Sequence, residues 1–239
     1  MLNTIKDAWM MVRKDLRSEK RYLLWSIIFA AYMGGTTGVM MLGREEARSL
    51  GPVADFILLM LVPMLGFYFS RRSFKYLTED SYTRMLAFFR VLPISNGVVL
   101  VYRVIQSVLA FAVNGIIFFV IMYCVQGTLL DHMRFDHYLA FALTWVGYGL
   151  MMTGPYIYFE FSNHGKAYLL STLIFLVGSV VAAAAVYAAG GNLLVYTVEV
   201  SKRWSLLSPA MWGMLLAGVI SLVLCSIGTL RRLESRDLV

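Results

Sequence analysis

Six long stretches of almost uninterrupted apolar sequence constrain this chain more than any other feature. They cover approximately residues 22–42, 53–70, 98–125, 138–159, 168–189 and 208–230. About 20 apolar residues are needed for a helix to cross the roughly 30 Å of bilayer hydrocarbon. Runs of this length lack the alternation of a barrel strand, and only helices and closed barrels span lipid. The pattern therefore predicts an all-α polytopic membrane protein with six transmembrane helices.

The composition agrees with this class. Of the 239 residues, 59% are hydrophobic and 15% are charged, whereas soluble domains average about 45–50% and 25%. The first apolar stretch follows a charged segment and has no convincing small-residue cleavage site, so we expect a retained span rather than a signal peptide. Cys124 and Cys225 fall in predicted spans and indicate no disulfide framework.

The distribution of basic residues predicts the orientation. Most of the 21 lysines and arginines precede the first stretch, lie between the second and third, or end the chain. By the positive-inside rule, both termini are then cytoplasmic. This explains the net charge of +7 without nucleic acid, for which we find no binding motif. The opposite side carries few basic residues: Arg44, Arg48, Arg134, Lys202 and Arg203.

Residues 1–21 have the pattern of an amphipathic helix lying in the headgroup plane. Apolar side chains recur at helical spacing, and lysines and arginines occupy much of the remaining surface. A basic flank that only orients the first span is the alternative. The apolar positions are Ile5, Trp9, Val12 and Leu16.

Residues 79–95, between the second and third stretches, predict a short cytoplasmic amphipathic helix. Glu79 and Asp80 suit the positive end of a helix dipole, and Pro93 ends the helix. Such a helix either rests on the bilayer or offers its apolar side to a soluble partner, and the periodicity fits both roles. The apolar arc contains Tyr82, Met85, Leu86, Phe88, Phe89 and Leu92.

The order of these elements resembles the permease subunit of type-2 ABC exporters over nearly the whole chain, residues 1–239. The segment that closes in Leu92-Pro93-Ile94-Ser95 is similar to the coupling helix that an ATPase subunit receives in a groove. The resemblance is greatest to compact permeases of bacitracin resistance, lantibiotic immunity and toxic-peptide export. It implies a multi-pass protein of the bacterial plasma membrane. The implied ATPase contacts are Glu79, Asp80, Tyr82, Met85, Leu86, Phe89, Leu92, Pro93 and Ser95.

The chain lacks the phosphate-binding sequence GxxxxGK[ST]. Its only Gly-Lys pair, Gly165-Lys166, is followed by Ala167, with Glu160 where the first glycine is needed. We therefore expect no cofactor on this chain and no enzymatic activity of its own. ATP and Mg²⁺ would bind to a separate ATPase subunit, and a second permease chain, identical or related, would complete a dimer.

Polar residues inside the predicted spans are candidates for a translocation path. Gln106 and Asn114 are eight residues apart and share a helix face; Asn114 either lines a polar path or hydrogen-bonds across helices. We expect Arg103 to snorkel to the cytoplasmic interface, and Glu160 to lie at a hydrated helix end. Gly34 and Gly38 form a GxxxG pair that permits close helix packing.

The segment 190–208 is too apolar for a solvated loop and too charged to span. In the resembled family, the corresponding link re-enters the outer leaflet as short helices, so Glu199 and Trp204 would lie at the exit mouth. An ordinary interfacial loop is the alternative.

Three other functions are compatible with parts of the sequence. A non-transporting scaffold or sensor would use the same cytoplasmic helix to hold a partner. An intramembrane hydrolase would use Glu45 and Glu46, although Arg48 comes too soon for EExxxR. The pairs Asp131-His132 and Asp136-His137 contain residue types that can bind metal ions. Such residues are common in loops at the ends of spans, so we expect no metal site there.

Overall fold

The computed structural model describes residues 2–40, 51–67, 94–125 and 133–235, together with Met85, Phe88, Phe89 and Val91. These residues form helices joined by short turns, without β-strands. In chain order the helices are α1 (Leu2–Ser18), α2 (Lys20–Met40), α3 (Gly51–Met64), α4 (Asn96–Val125), α5 (Phe135–Ser162), α6 (Gly165–Ala188), α7 (Leu193–Trp204) and α8 (Pro209–Ser235), and a 3₁₀ turn, Ser205–Leu207, precedes α8.

Four of these helices, α2, α4, α6 and α8, are long and apolar enough to cross a membrane. The all-helical prediction is therefore confirmed, with four helices that could span a membrane, while the six spans and the side of the termini stay predictions. The described part of the second stretch, α3, has only 14 residues. The fourth stretch forms the 28-residue α5, but glycine, threonine, tyrosine and proline interrupt its apolar side chains.

Helix α5 packs closely along α8 because small residues line their contact. A methyl group added to Gly147 would lie 2.5 Å from the backbone carbonyl carbon of Met214, and one added to Gly218 would lie 2.8 Å from the oxygen of Gly147. The Ser221 hydroxyl also donates to the Met151 carbonyl at 2.6 Å. Membrane helices associate through such close contacts because the hydrophobic effect does not drive helices together inside lipid.

The GxxxG pair of α2 serves the same purpose against α4. A methyl group at Gly34 would lie 2.6 Å from the Phe118 carbonyl oxygen, and one at Gly38 would lie 3.1 Å from the Cβ of Val125. The predicted packing role of Gly34 and Gly38 is confirmed, since any side chain at Gly34 would overlap the α4 backbone.

The helices bring the connecting segments together at two opposite ends. At one end, which we call the basal end, α1 and the described residues of 79–95 meet the start of α4 and the ends of α5 and α8. At the other, the distal end, the start of α3 meets α7, and the start of α5 meets the turn after α7. The segments predicted to be cytoplasmic thus share the basal end. The side of the membrane that this end faces stays a prediction.

Candidate functional site

Met85, Phe88, Phe89 and Val91 of segment 79–95 have helical backbone and lie at the basal end, and their side chains differ in exposure. Met85 and Phe89 are only 8% and 9% exposed. Phe88 and Val91, in contrast, are 61% and 86% exposed. Two neighbouring apolar side chains therefore contact the protein, and two point away from it. The inner pair packs against residues of three helices: Val99, Leu100, Ile157, Phe161 and Leu233.

This arrangement affects the predicted partner contacts. Met85 and Phe89 are covered by the chain's own helices, so the exposed apolar side chains among the described residues of this segment are Phe88 and Val91. Ser95 is exposed and directly precedes α4, and its hydroxyl oxygen accepts a 3.4 Å hydrogen bond from the Val98 amide. Contact with an ATPase stays a prediction. The other predicted contacts lie outside the described residues: Glu79, Asp80, Tyr82, Leu86, Leu92 and Pro93.

A buried ion pair joins α4 and α5 directly behind this segment. The Nη2 of Arg103 lies 2.8 Å from Glu160 Oε2, and its Nε lies 3.1 Å from Oε1. The two residues are 8% and 2% exposed. The prediction that Arg103 snorkels to the interface is therefore wrong. The prediction that Glu160 lies at a hydrated helix end is also wrong, because each charge is neutralised by the other inside the bundle. Such pairs are costly to bury and are retained mainly where geometry is good.

The Nη1 donors of the guanidinium are also satisfied. Arg103 Nη1 donates to the Ser107 hydroxyl at 2.9 Å and to the Gln106 side-chain oxygen at 3.2 Å. The Phe67 ring centroid lies 5.2 Å from the guanidinium carbon, within cation–π range. Arg103 is thereby held by α4, by α5 and by the residues after α3.

The polar chain continues from Arg103 to α1. The Gln106 amide donates to the Tyr102 hydroxyl at 3.2 Å, and that hydroxyl donates to the Asp15 carboxylate. The Phe89 ring meets the Tyr102 ring edge-on, with centroids 6.5 Å apart. Phe89 of segment 79–95 therefore contacts a network that continues to Glu160 without interruption. We call Asp15, Tyr102, Arg103, Gln106 and Glu160 the basal network.

Gln106 and Asn114 line one groove, as their spacing predicted. The groove has a volume of about 230 Å³ and lies between α1, α2 and α4, with otherwise mainly apolar walls. The Asn114 amide nitrogen donates to the Leu65 and Phe67 carbonyls at 3.1 and 3.0 Å. Asn114 thus makes the cross-helix hydrogen bonds that were one of its two predicted roles, and it satisfies carbonyls freed at the end of α3. A translocation path along this face stays a prediction.

At the distal end a second buried carboxylate, Asp55, joins α3 to α7. Its two oxygens accept hydrogen bonds from the Leu193 and Leu194 amides at 2.7 and 2.8 Å. A carboxylate at this position satisfies free amides and suits the positive end of the helix dipole. Sequence reasoning missed this contact, although Asp55 is the one acidic residue in the stretch 53–70.

The segment 190–208 forms α7 and the 3₁₀ turn, as short helices were expected to do, and its depth in a membrane stays a prediction. Glu199 is exposed, and Trp204 is half-exposed with the Arg203 guanidinium 5.7 Å from its ring centroid. The Ser205 hydroxyl donates to Asp136 at 2.9 Å. This bond, followed by the nearby charges of Arg134 and His137, lowers the pKa of Asp136.

The enzyme and metal alternatives gain no site. Within the described ranges, no three histidine, cysteine, aspartate or glutamate side chains lie close enough to hold a metal ion. Asp136 and His137 are 3.8 Å apart at their nearest atoms. Asp131, His132, Glu45 and Glu46 lie outside the described residues.

Comparison of the chain with models of known protein families, with curated proteins and with solved structures found no match.

Proposed function

We propose that this chain is the transmembrane subunit of an ATP-driven exporter that moves an amphiphilic cargo, such as a peptide, an antibiotic or a lipid-like molecule, out of the cell. A separate ATPase subunit would bind ATP and Mg²⁺. The proposal combines the resemblance of the sequence to type-2 ABC permeases with an all-helical bundle of which four helices are long enough to span.

The observation that carries the proposal is the contrast in exposure among Met85, Phe88, Phe89 and Val91. A coupling element must contact the spans of its own chain on one side and a partner protein on the other. Met85 and Phe89 contact α4, α5 and α8, whereas Phe88 and Val91 expose large apolar surface at the same end. Isolated exposed apolar side chains are ordinary. Here they share one short segment with a buried pair, which suits a groove-binding helix.

The basal network gives a physical route from that segment into the bundle. A partner that moved Val91 would displace Phe89 against Tyr102, whose hydroxyl bonds Asp15 on α1 and accepts from Gln106. Arg103, held by Gln106 and Glu160, connects that motion to α5. Polar contacts of this kind have discrete arrangements, so the bundle can switch between two packings.

One chain is not expected to enclose a path alone. Most of the apolar side chains of α6 and α8 are exposed, and only 6% and 11% of their apolar windows are buried within the chain. A second permease chain and lipid would cover these faces. The functional unit would then contain two permease chains and two ATPases.

A photo-crosslinker placed at Val91 tests the ATPase contact directly. We expect benzoylphenylalanine at this position, in membranes of the source cells, to give an adduct that also carries label from azido-ATP. Leu207 is the matched control, because it is 79% exposed but lies at the distal end; it should give no nucleotide-labelled adduct.

Two results would contradict the transporter proposal. If Val91 forms no nucleotide-labelled adduct although the chain is folded in the membrane, no ATPase docks on this segment. If the adduct contains a protein that does not bind ATP, the chain is the scaffold or sensor of the alternative. Val91→Asp should also lower co-purifying ATPase activity about tenfold, the loss of roughly 1.4 kcal/mol of contact, while Leu207→Asp should not.

A further inference from the structure

A depression at the distal end, outside the basal network, is lined by aromatic rings and one carboxylate. It has a volume of about 420 Å³ and lies between the end of α6 and the first two turns of α7. Tyr187 and Tyr196 are 56% and 59% exposed. Glu199 lies three residues after Tyr196 and therefore shares its helix face. Asn192 and Val195 complete the wall.

The turn between α6 and α7 forms the corner that positions these side chains, and specific residues build it. The Gly191 amide donates to the Val186 carbonyl and the Gly190 amide to the Tyr187 carbonyl, both at 2.9 Å. This is the Schellman pattern, and Gly190 takes the left-handed conformation it requires, with φ of +75°. The next residue, Asn192, caps α7 by accepting from the Val195 amide at 2.8 Å. The relative placement of Tyr187 and Tyr196 is therefore fixed by hydrogen bonds.

The same corner is unsuited to an anion. The first amides of α7 would attract one, but those of Leu193 and Leu194 already donate to Asp55, and that of Val195 donates to Asn192. No lysine or arginine lines the depression. The basic residues of α7, Lys202 and Arg203, come a turn later, and Arg203 lies over Trp204.

Glu199 gives the depression its charge. Its carboxylate is exposed, and it has neither an ion pair nor a hydrogen bond with any residue in the described part of the chain. A carboxylate beside two tyrosine side chains is a combination suited to alkylammonium ions, because an aromatic ring attracts a cation to its face through its quadrupole and the carboxylate attracts it directly.

We infer that Tyr187, Tyr196 and Glu199 form a binding site for an alkylammonium group. The group belongs to a choline or ethanolamine lipid headgroup or to a free amine in solution, and both present the same chemistry. The inference stands independently of the proposed transport, because it uses only the distal end and requires no ATPase.

Tetramethylammonium chloride is the probe that tests the site. The full chain would be placed in nanodiscs of phosphatidylglycerol, which has no ammonium group, and the probe titrated while saturation-transfer NMR is recorded. We expect saturable binding, and none of the uncharged analogue tert-butanol. Tyr196→Leu and Glu199→Gln should each weaken binding roughly tenfold, within the range of a partly desolvated cation–π contact. Tyr196→Phe, which keeps the ring face, should bind nearly as the wild type does.

Two matched variants control for general effects. Tyr32→Leu removes a similarly exposed tyrosine from α2, and Glu234→Gln removes an exposed carboxylate at the basal end; both should leave binding unchanged. A nanodisc of phosphatidylcholine identifies the source. Weaker apparent binding of the probe there indicates that headgroups occupy the site, and unchanged binding indicates a soluble amine. The inference is overturned if the probe does not saturate, if tert-butanol binds equally well, or if Tyr196→Leu and Glu199→Gln bind as the controls do.

Discussion

Glu160 and Asp55 are two buried carboxylates at opposite ends of the molecule, and different partners stabilise them. Glu160 at the basal end is paired with a full positive charge, the Arg103 guanidinium. Asp55 at the distal end accepts hydrogen bonds from the Leu193 and Leu194 amides, which begin α7, and has no cation beside it among the described residues. Each joins two elements that are far apart in sequence.

The difference bears on what each end can do. An ion pair between side chains of α4 and α5 can break and re-form as the helices shift, because both charges are on long side chains. A carboxylate bonded to two backbone amides fixes α7 to α3 at a single position. The basal end therefore contains the more adjustable connection and the distal end the more rigid one, in keeping with a basal coupling segment and a preformed distal depression.

The largest expected effect comes from leaving one charge of the basal pair without its partner. Glu160→Leu should lower the free energy of unfolding by about 3–5 kcal/mol, the usual cost of an uncompensated buried charge. Thermal unfolding of the full chain in detergent would measure it.

The double variant Arg103→Leu/Glu160→Leu is the matched control for that prediction. Replacing a whole buried pair by apolar groups is often neutral or stabilising, so the double variant should recover most of the lost stability. If the double variant is less stable than Glu160→Leu, the pair stabilises the bundle by a route other than charge neutralisation.

A smaller effect is expected at Asp55. Asp55→Leu removes the acceptor of two α7 amides and should cost about 2 kcal/mol, the upper part of the range for a lost helix cap. Asp55→Asn keeps one oxygen acceptor and should cost about half as much. Hydrogen exchange at the start of α7 would locate the effect, and equal protection in both variants and the wild type would contradict the capping role.

The smallest effect is expected at Asp136, a surface carboxylate of the distal end. Its pKa is lowered from 3.8, chiefly by the Ser205 hydroxyl. A group with a lowered folded pKa stabilises the fold above its unfolded pKa and loses that contribution as the pH falls through the folded value. Ser205→Ala should therefore lower the melting temperature slightly near neutral pH, and the difference should disappear as the pH falls through the folded pKa of Asp136, which lies below 3.8. A difference that is independent of pH would assign it to packing.

Much of the bundle could be predicted from local patterns. The apolar stretches gave helices in all six windows, and Gly34 and Gly38 predicted the close approach of α2 to α4, because small residues at i and i+4 act through one helix face. Periodicity alone, however, does not show how deeply a helix lies in the membrane or which element covers its apolar side. It placed Phe89 on the apolar side of segment 79–95 without showing that the chain's own helices cover it.

The polar contacts could not be predicted in this way. Arg103 and Glu160 are 57 residues apart, and Asp55 and Leu193 are 138 apart. A sequence shows that each polar residue lies in or near an apolar stretch. The partner of such a residue depends on which helices become neighbours and on how they are shifted along their axes. The predicted snorkelling of Arg103 was wrong for that reason.

The sequence by itself determined the all-helical class, the apolar stretches long enough to span a membrane and the approximate positions of the helices, because hydrophobicity and helical period are local properties. Only the tertiary structure decided that Met85 and Phe89 face inward, that Arg103 is paired with Glu160, and that Tyr187, Tyr196 and Glu199 line one depression. Those outcomes depend on contacts between distant segments, and contact energies exist only once the helices have packed.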